Sequence, residues 1–311
     1  MRKTEEPDRH ISRAKLTSIL TSLERGTGTY FYCKEAFSFG REEFRIGVTG
    51  MPGAGKSTII NRLITLFREG GENVGALLFD PASPKTGGSV LGDRARMQGH
   101  ATDRNVFIRS LSNRGRFAVN PLLVAFGSRA LAAAGFRNVV IESVGVGQSE
   151  GILEGLVDLL IVVLPSDFGD KLQIIKAGIL ETGDILAVNK ADLPASRSLF
   201  ETLKSYYSGK AKLMSVSGKT GENISLLFES VVAKRKSLFS GKISMARRDK
   251  RIRDEIMLVL REKIDEKFCS PLFHSKALKE ISIGVLMGEK TIFEASEELL
   301  VGVLSRRGSR F

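Results

Sequence analysis

The sequence predicts an α/β fold, a mostly parallel central sheet covered by helices, with helical extensions at both ends. Short apolar, β-branched runs alternate with amphipathic helical patterns from Phe44 to about Lys236. These runs are continuously apolar, which is typical of strands buried on both faces. The segments on either side show helical patterns only. We therefore expect an N-terminal helical extension at 1–43, an α/β domain at 44–235 and a C-terminal helical arm at 236–311.

The elements follow in chain order. The first extension carries apolar residues at helical spacing between Ile11 and Leu23, and Gly26-Thr27-Gly28 breaks that pattern. Seven candidate strands come next: Phe44–Thr49, Val74–Phe79, Val106–Arg109, Asn138–Ile141, Leu159–Leu164, Ile185–Val188 and Leu213–Val216. Because ligands bind at the carboxyl ends of parallel strands, motifs that directly follow these runs carry the functional information.

The arm after Lys236 reads as helix throughout. One helix presents a continuous apolar face, and we expect Ser270-Pro271 to end it. That face consists of Ile252, Ile256, Val259, Leu260, Ile264 and Phe268. A second helix is expected over Lys276–Leu286, and Thr291 with Glu294 has the capping-box spacing that starts a third. The apolar face needs a covering surface, either the sheet domain of the same chain or a second subunit.

Composition excludes several classes of protein. The longest apolar run, 156–164, is interrupted by Asp158 and falls short of the ~20 residues of a membrane span. The first ten residues mix acids and bases, unlike a secretory leader, so we expect a cytoplasmic location. The net charge of +12 is concentrated at 234–263, but such basic runs are mostly solvated helix faces, so a nucleic-acid partner is not expected. Two cysteines and three scattered histidines form neither a disulfide framework nor a His-rich metal site.

The strongest motif lies directly after the first strand. Residues 50–57 fit G-x-x-x-x-G-K-[ST] between a strand and a helix, which is the context of a phosphate-binding P-loop. Backbone N–H groups of such a loop point at phosphate oxygens, its lysine contacts the β- and γ-phosphates, and its serine ligates Mg²⁺. The predicted nucleotide contacts here are Gly50, Met51, Pro52, Gly53, Ala54, Gly55, Lys56, Ser57 and Thr58.

Base selection is predicted after the sixth strand, at Asn189-Lys190-Ala191-Asp192. A carboxylate in the plane of the base accepts hydrogen bonds from both N1–H and the N2 amine of guanine, a pair that adenine lacks. Asp192 is therefore the predicted guanine selector, with Asn189 and Lys190 bracing the loop and covering the base. A backbone N–H of Ser217-Gly218-Lys219, after the seventh strand, is placed to reach the guanine carbonyl oxygen.

Acidic residues at two further strand ends indicate a magnesium site. Glu142 follows the fourth strand, and Gly145 lies three residues later, where a backbone N–H can approach the γ-phosphate. Asp80 ends the second strand and is compatible with either the magnesium shell or a turn-capping role. Ser57 and Glu142 are therefore candidate Mg²⁺ ligands, and Asp80 is a third candidate whose role the sequence leaves open.

Together these segments resemble the MeaB/ArgK-type GTPases that accompany adenosylcobalamin-dependent methylmalonyl-CoA mutase. The matching segments are GMPGAGKST (50–58), DPASPKTGGSVLGDRARM (80–97), DRNVFIR (103–109), ESVGVGQSE (142–150), GDKLQIIKAGI (169–179), NKAD (189–192) and VLMGEKTIFEASEELL in the arm. The resemblance implies binding of GTP and GDP at 50–58, 189–192 and 217–219, with Mg²⁺ held by the three residues named above. It also implies switch segments at 81–97, 143–150 and 165–176, a homodimer, and methylmalonyl-CoA mutase or a related cobalamin-dependent mutase as partner.

The expected reaction is hydrolysis of GTP to GDP and phosphate, slow without a partner because no arginine finger can be identified. Lys56 and Gly145 are the expected catalytic contacts, Asp93 is the candidate for orienting the water, and Lys176 is a candidate regulatory cation. Such a protein would gate the loading of adenosylcobalamin onto the mutase or protect the mutase. Two alternatives are a nickel-insertion GTPase, which would need a Cys/His-rich metal segment, and a P-loop kinase acting on a small molecule, which would not need the NKAD motif.

Overall fold

A computed structural model of the 311-residue chain describes residues 11–25, 42–81, 98–100, 102–113, 119–143, 153–165, 180–273 and 275–305. The strands are β1 (Phe44–Gly50), β2 (Val74–Pro81), β3 (Val106–Asn113), β4 (Asn138–Glu142), β5 (Leu159–Leu164), β6 (Ile185–Val188) and β7 (Lys212–Ser215). The α-helices are α1 (Arg13–Arg25), α2 (Lys56–Glu69), α3 (Pro121–Ala133), α4 (Pro194–Tyr206), α5 (Ile224–Leu238), α6 (Gly241–Ile264), α7 (Ser270–Phe273), α8 (Lys276–Leu286) and α9 (Ile292–Ser305).

The seven strands form one parallel sheet in the order β3-β2-β4-β1-β5-β6-β7. The first strand of the chain therefore lies at the centre, between the fourth and the fifth. Its register pairs Val48 with Glu142 on β4 and Gly50 with Val163 on β5. Because all strands run in the same direction, their carboxyl ends meet at one edge, and the predicted α/β fold is confirmed.

Helices cover both faces of the sheet because the strands are apolar on both sides. Every residue of β1, β4, β5 and β6 is buried. Ala76 and Leu78 of β2 pack in the cluster that also contains Phe67 of α2 and Leu227 of α5. Leu77 points to the opposite face, where it lies next to Gly127 of α3. The core of the domain is thus two apolar layers with the sheet between them.

Helix α1 packs on the sheet domain against α3. Leu16, Ile19, Leu20 and Leu23 are buried, as their helical spacing predicts. Near the C-terminal end of α1, Glu24 Oε1 accepts hydrogen bonds from the backbone N–H and the hydroxyl of Ser112, each 2.9 Å long. This contact joins α1 to the carboxyl end of the edge strand β3.

Several strands are longer than their apolar runs predict. Strands β5 and β6 have the predicted bounds, whereas β3 continues for four residues beyond the predicted end at Arg109. Ser110 and Ser112 interrupt the apolar pattern, but the ladder with β2 continues to the pair formed by Pro81 and Asn113. Strand β7 begins and ends one residue earlier than predicted, at Lys212 and Ser215. Backbone pairing, not hydrophobicity, sets these ends.

The arm consists of helices joined by short turns where the structure describes it, but the prediction that Ser270-Pro271 ends its first long helix is wrong. Helix α6 passes into a π-helical turn, Asp265–Cys269, and helical structure continues through α7. The N–H of Ser270 bonds to the carbonyl of Asp265, five residues back, so the usual bonding pattern has already shifted where Pro271 lacks its N–H. Helix α8 has the predicted bounds. The capping box before α9 is formed, with Glu294 N bonded to Thr291 Oγ1 at 3.2 Å and Thr291 N bonded to Glu294 Oε2 at 2.8 Å.

The chain divides into two compact units, Met1–Arg248 and Asp249–Phe311, and α6 crosses that boundary. In the second unit, four of the six residues of the apolar face predicted on α6 are exposed. Ile252 is 47% exposed, Ile256 59%, and Leu260 and Ile264 44% each. Within the described residues, no helix is both long enough and apolar enough to cross a bilayer.

Candidate nucleotide-binding site

The predicted P-loop lies at the carboxyl edge of the sheet, between β1 and α2, and two of its glycines are required by close neighbours. Gly50 has φ 141°, and a Cβ atom there would lie 2.1 Å from the carbonyl oxygen of Val163. Gly55 has φ 89°, and a Cβ atom there would lie 2.2 Å from Nδ2 of Asn189. Any other residue at either position would force the loop away from the neighbouring strand or from the loop that follows β6.

Lys56 begins α2, with its ammonium group folded back into the loop. The side chain is buried, and Nζ donates hydrogen bonds to the carbonyl oxygens of Gly50 at 2.9 Å and Met51 at 3.1 Å. The first N–H groups of α2 and the positive end of its dipole face the same space. Pro52, Gly53 and Thr58 are exposed around the mouth of the loop. An ammonium group combined with a helix N-terminus attracts a polyanion such as a nucleotide phosphate chain.

Ser57 and Glu142 form an oxygen-donor pair next to the loop. The Ser57 hydroxyl donates to Glu142 Oε1 at 3.1 Å, and both side chains are buried. The parallel pairing of β1 with β4 brings them together. Asp80 lies on β2, two residues beyond the Leu78 that pairs with Glu142, and its side chain is outside the described part of the chain.

The chemistry of this pair fits Mg²⁺. A hydroxyl and a carboxylate are the hard oxygen ligands that Mg²⁺ prefers, and the ion usually retains water and phosphate ligands beside one or two protein groups. Among the residues that the structure describes, no three His, Cys, Asp or Glu side chains are grouped as a metal site. The described residues thus offer two ligands, and Asp80, phosphate oxygens and water are the candidates for the remaining ones.

Asn189 joins the phosphate side of the site to the base side. Its side chain is buried, Nδ2 donates to the carbonyl of Ala54 at 2.7 Å, and Oδ1 accepts from the N–H of Gly218 at 3.0 Å. The hydroxyl of Ser196, on α4, donates to the Asn189 carbonyl at 2.8 Å and fixes the backbone there. One amide side chain thus holds the P-loop, the NKAD segment and the Ser217-Gly218-Lys219 segment together.

Asp192 is oriented by Ser217. The Ser217 hydroxyl donates to Asp192 Oδ1 at 2.5 Å, and this hydrogen bond is the main reason why the pKa of Asp192 lies below its ordinary value of 3.8. The carboxylate is therefore ionised at neutral pH, with a second oxygen left for hydrogen-bond donors. Lys190, two residues earlier, has φ 63°, a left-handed conformation that turns the chain sharply between Asn189 and Asp192.

The structure also shows supporting residues that the motifs do not identify. Arg62, on α2, donates to the carbonyl oxygens of Gly218 at 3.0 Å and Lys219 at 2.9 Å. The hydroxyl of Ser143 donates to Thr49 Oγ1 at 2.8 Å, which links the ends of β4 and β1 beside Glu142. For Ser143 the sequence offers one signal, a polar residue that comes directly after an apolar strand and its terminal Glu142. Arg62 gave none, because an arginine on a helix surface is ordinary.

Gly145, Asp93 and Lys176 lie outside the described residues, as do most of the predicted switch segments, 82–97, 144–150 and 166–176. Their roles stay predictions. The described part of the site contains the phosphate loop, the Ser57 and Glu142 pair, and the predicted guanine-binding residues.

Known proteins resemble this chain in sequence and in fold. The profile of the family described as methylmalonyl-CoA mutase-associated GTPase MeaB matches residues 34–272. A probable GTPase of Mycobacterium tuberculosis is 34% identical over 268 residues, which are 82% of this chain and 80% of that protein. The GTPase ArgK of Escherichia coli is 31% identical over 241 residues, 74% of this chain and 71% of that protein. A crystal structure described as LAO/AO transport system kinase has the same fold, with a TM-score of 0.62 and 19% identity, covering 94% of this chain and 99% of that chain.

Proposed function

Since the chain belongs to the MeaB family of methylmalonyl-CoA mutase-associated GTPases, we propose that it binds GTP at the carboxyl edge of its sheet and hydrolyses it to GDP and phosphate. The observation that carries the proposal is the set of contacts made by Asn189, which fixes a phosphate-binding loop and a carboxylate suited to guanine at one site. A nucleotide has a part that matches each of them, a phosphate chain for the loop and a base for the carboxylate. Residues 50–58 hold the phosphates, while Asn189, Lys190, Asp192 and residues 217–219 hold the base.

Ser57 and Glu142, with Asp80, are the proposed ligands of Mg²⁺. When bound, the ion offsets the negative charge that the phosphates carry. Lys56 places a second positive charge against the same phosphates, and the N-terminal N–H groups of α2 donate to them. The P-loop and the first turn of α2 hold Lys56 and these N–H groups in place, so the contribution that we propose for them in hydrolysis is electrostatic preorganisation. Gly145 as γ-phosphate contact and Asp93 as the residue that orients the water complete the proposal.

The finer proposal is that the nucleotide state gates the loading of adenosylcobalamin onto a methylmalonyl-CoA mutase, or a related cobalamin-dependent mutase, or protects that enzyme. The description of the family supports it, since the family is named for its association with the mutase. In the sequence, the predicted switch segments come directly after β2, β4 and β5. These strands end at the edge of the sheet that carries the site, so we expect loss of the γ-phosphate to act on these segments first.

A homodimer through the arm forms part of the same proposal. Large apolar side chains of α6 are exposed at spacings of three to four residues, which makes a stripe suited to a second helix. Basic residues beside the stripe are partly neutralised within the helix, by the pairs of Lys250 with Asp254 and Arg253 with Asp249. Because α6 carries eight Lys or Arg and four Asp or Glu, these pairs offset only part of its positive charge, and burial of the stripe has to outweigh the remaining repulsion between two copies.

The first test is a titration of the purified full-length chain with GDP, GTP and ADP in the presence and absence of Mg²⁺. We expect guanine nucleotides to bind far more tightly than ADP, and Mg²⁺ to tighten GTP binding. Release of inorganic phosphate in step with GDP identifies hydrolysis and separates it from transfer to a small molecule. Equal affinity for ADP and GDP would refute the proposal.

The second test concerns the partner and the oligomer. Purified methylmalonyl-CoA mutase should bind the chain with an affinity that differs between a non-hydrolysable GTP analogue and GDP, measured by titration calorimetry. An affinity that is the same in both nucleotide states would contradict gating. Light scattering at low and high salt should show a dimer that becomes a monomer when Ile256 is replaced by Asp, and a monomeric full-length chain would contradict the dimer.

A further inference from the structure

The loop formed by residues 217–221 has one backbone N–H group that its own fold leaves unused. The N–H groups of the other four residues are bonded to the carbonyl of Glu222, to Asn189 Oδ1, to Ser217 Oγ and to the carbonyl of Ser217. The N–H of Lys219 has no partner among the residues that the structure describes. This donor directly follows, along the chain, the Ser217 hydroxyl that donates to Asp192 and the Gly218 N–H that donates to Asn189, so its two preceding residues both contact the predicted base loop.

Arg62 determines the direction in which that N–H points. Its Nε and Nη2 atoms bond to two successive carbonyls, those of Gly218 and Lys219. The peptide between these residues is trans, because the described chain contains no cis peptide bond. In a trans peptide the carbonyl and the N–H point in opposite directions. With the Gly218 carbonyl held towards α2 by Arg62, the Lys219 N–H is turned away from α2.

The close packing of the 217–221 loop on α2 restricts the directions in which the Lys219 N–H can point. A Cβ atom at Gly218 would lie 3.1 Å from Cγ2 of Thr58 and 3.4 Å from the backbone N of Ile59, so the loop lies directly against the first turn of α2. The guanidinium has a rigid fork, so two carbonyls bonded to one Arg fix the orientation of two peptide planes together. A single donor on a flexible chain would not do so.

We propose that Arg62 is a positioning residue for base recognition, which holds the Gly218–Lys219 peptide so that the Lys219 N–H donates to the oxygen at position 6 of guanine. The inference rests on the proposed function, which already places residues 217–219 at the base, and adds to it the residue that orients their peptide. Asp192 would read N1 and the N2 amine, whereas the peptide oriented by Arg62 would read position 6. Adenine carries an amine there, which is a donor and faces the N–H unfavourably.

The test uses Arg62→Met, which keeps the length and apolar stem of the side chain and removes both donors. The matched control is Arg68→Met on the same helix, since Arg68 donates to Asp103 at 2.8 Å and to the Glu72 carbonyl at 2.8 Å, away from the site. Affinities are measured for GDP, for 6-thio-GDP, in which sulfur replaces the oxygen at position 6, and for IDP, which lacks the N2 amine.

In the wild type, GDP should bind about tenfold more tightly than 6-thio-GDP, a difference that corresponds to about 1.4 kcal/mol. Arg62→Met should weaken GDP binding and bring this ratio close to one, while the ratio of GDP to IDP affinity stays at its wild-type value. Arg62→Lys, with one flexible donor, should restore part of the discrimination. Arg68→Met should change neither ratio.

An unchanged ratio of GDP to 6-thio-GDP affinity in Arg62→Met would overturn the inference and leave the proposed function intact. A wild type that binds no guanine nucleotide would overturn both. Should the variant not fold, the backbone amide of Lys219 in the wild type gives an independent answer by NMR. Its resonance should move strongly with GDP and much less with 6-thio-GDP, and equal shifts with both nucleotides would refute the contact.

Discussion

Replacing Asn189 by Ala should damage the stability and the nucleotide affinity of the protein together. The substitution removes the hydrogen bonds from Nδ2 to the Ala54 carbonyl and from the Gly218 N–H to Oδ1, both within the interior. A buried polar group left without a partner costs about 1–3 kcal/mol, so two such groups cost about 2–6 kcal/mol. For a domain of about 150–250 residues, in which 1 kcal/mol corresponds to about 2–4 °C, this lowers Tm by roughly 4–24 °C. Differential scanning fluorimetry of the nucleotide-free protein measures the change.

The affinity for GDP should fall as well, by about tenfold or more, because the phosphate loop and the base loop are no longer held at a fixed separation. Asn138→Ala is the matched control, since Asn138 is equally buried and donates to Glu72 Oε2 at 3.0 Å at the opposite edge of the sheet. It should lower Tm without changing GDP affinity in titration calorimetry. Wild-type GDP affinity in Asn189→Ala, or an equal loss of affinity in Asn138→Ala, would refute the reasoning.

Three further changes test the same site. Asp192→Asn should reduce the preference for GTP over XTP, because an amide places a donor where the carboxylate accepts from guanine; competition titrations measure the ratio. Lys56→Ala should weaken GTP binding about 10- to 100-fold, the range of a hydrogen bond to a charged group, and fluorescence titration with a labelled nucleotide measures it. Ser217→Ala should raise the pKa of Asp192 towards 3.8, because the hydroxyl that lowers it is lost. NMR titration of the Asp192 carboxyl group measures this change in pKa. In the wild type, the stabilisation from the contact is present above about pH 3.8 and disappears as the pH falls through the lowered pKa of the folded state.

The fold could be predicted from the sequence where burial and backbone pairing agree. Strands β5 and β6 are wholly apolar and end where the apolar runs end. Strand β3 extends beyond its apolar run, because its last two residues, Ser112 and Asn113, are polar. They are held by pairing with β2 and by the contact of Ser112 with Glu24. No local pattern in β3 carries that information. The helical arm was predictable from apolar spacing, but its passage through Pro271 depends on a π-helical turn that spacing does not encode.

The candidate site follows the same division. The phosphate loop and the base loop were recognisable because each has a motif directly after a strand, and their approach follows from the parallel sheet. The contacts that fix their separation were less visible. Asn189 was expected to brace its own loop, whereas it bridges two others, and Arg62 acts on carbonyls that lie 156 and 157 positions later in the chain. Such long-range contacts depend on tertiary packing, so residue type and local spacing do not reveal them.

The order of the strands also has a consequence for the synthesis of the protein. Strand β1 is the first to leave the ribosome, yet its neighbours in the sheet are residues 138–142 and 159–164. At about 5–20 residues per second, β1 therefore waits for several seconds as an unpaired apolar segment. The loop that completes the base side of the site emerges later still, after β7. Nascent chains consequently expose β1 as an unpaired apolar segment for about a third of translation, and the proposed nucleotide site is complete only after residues 217–219 have emerged.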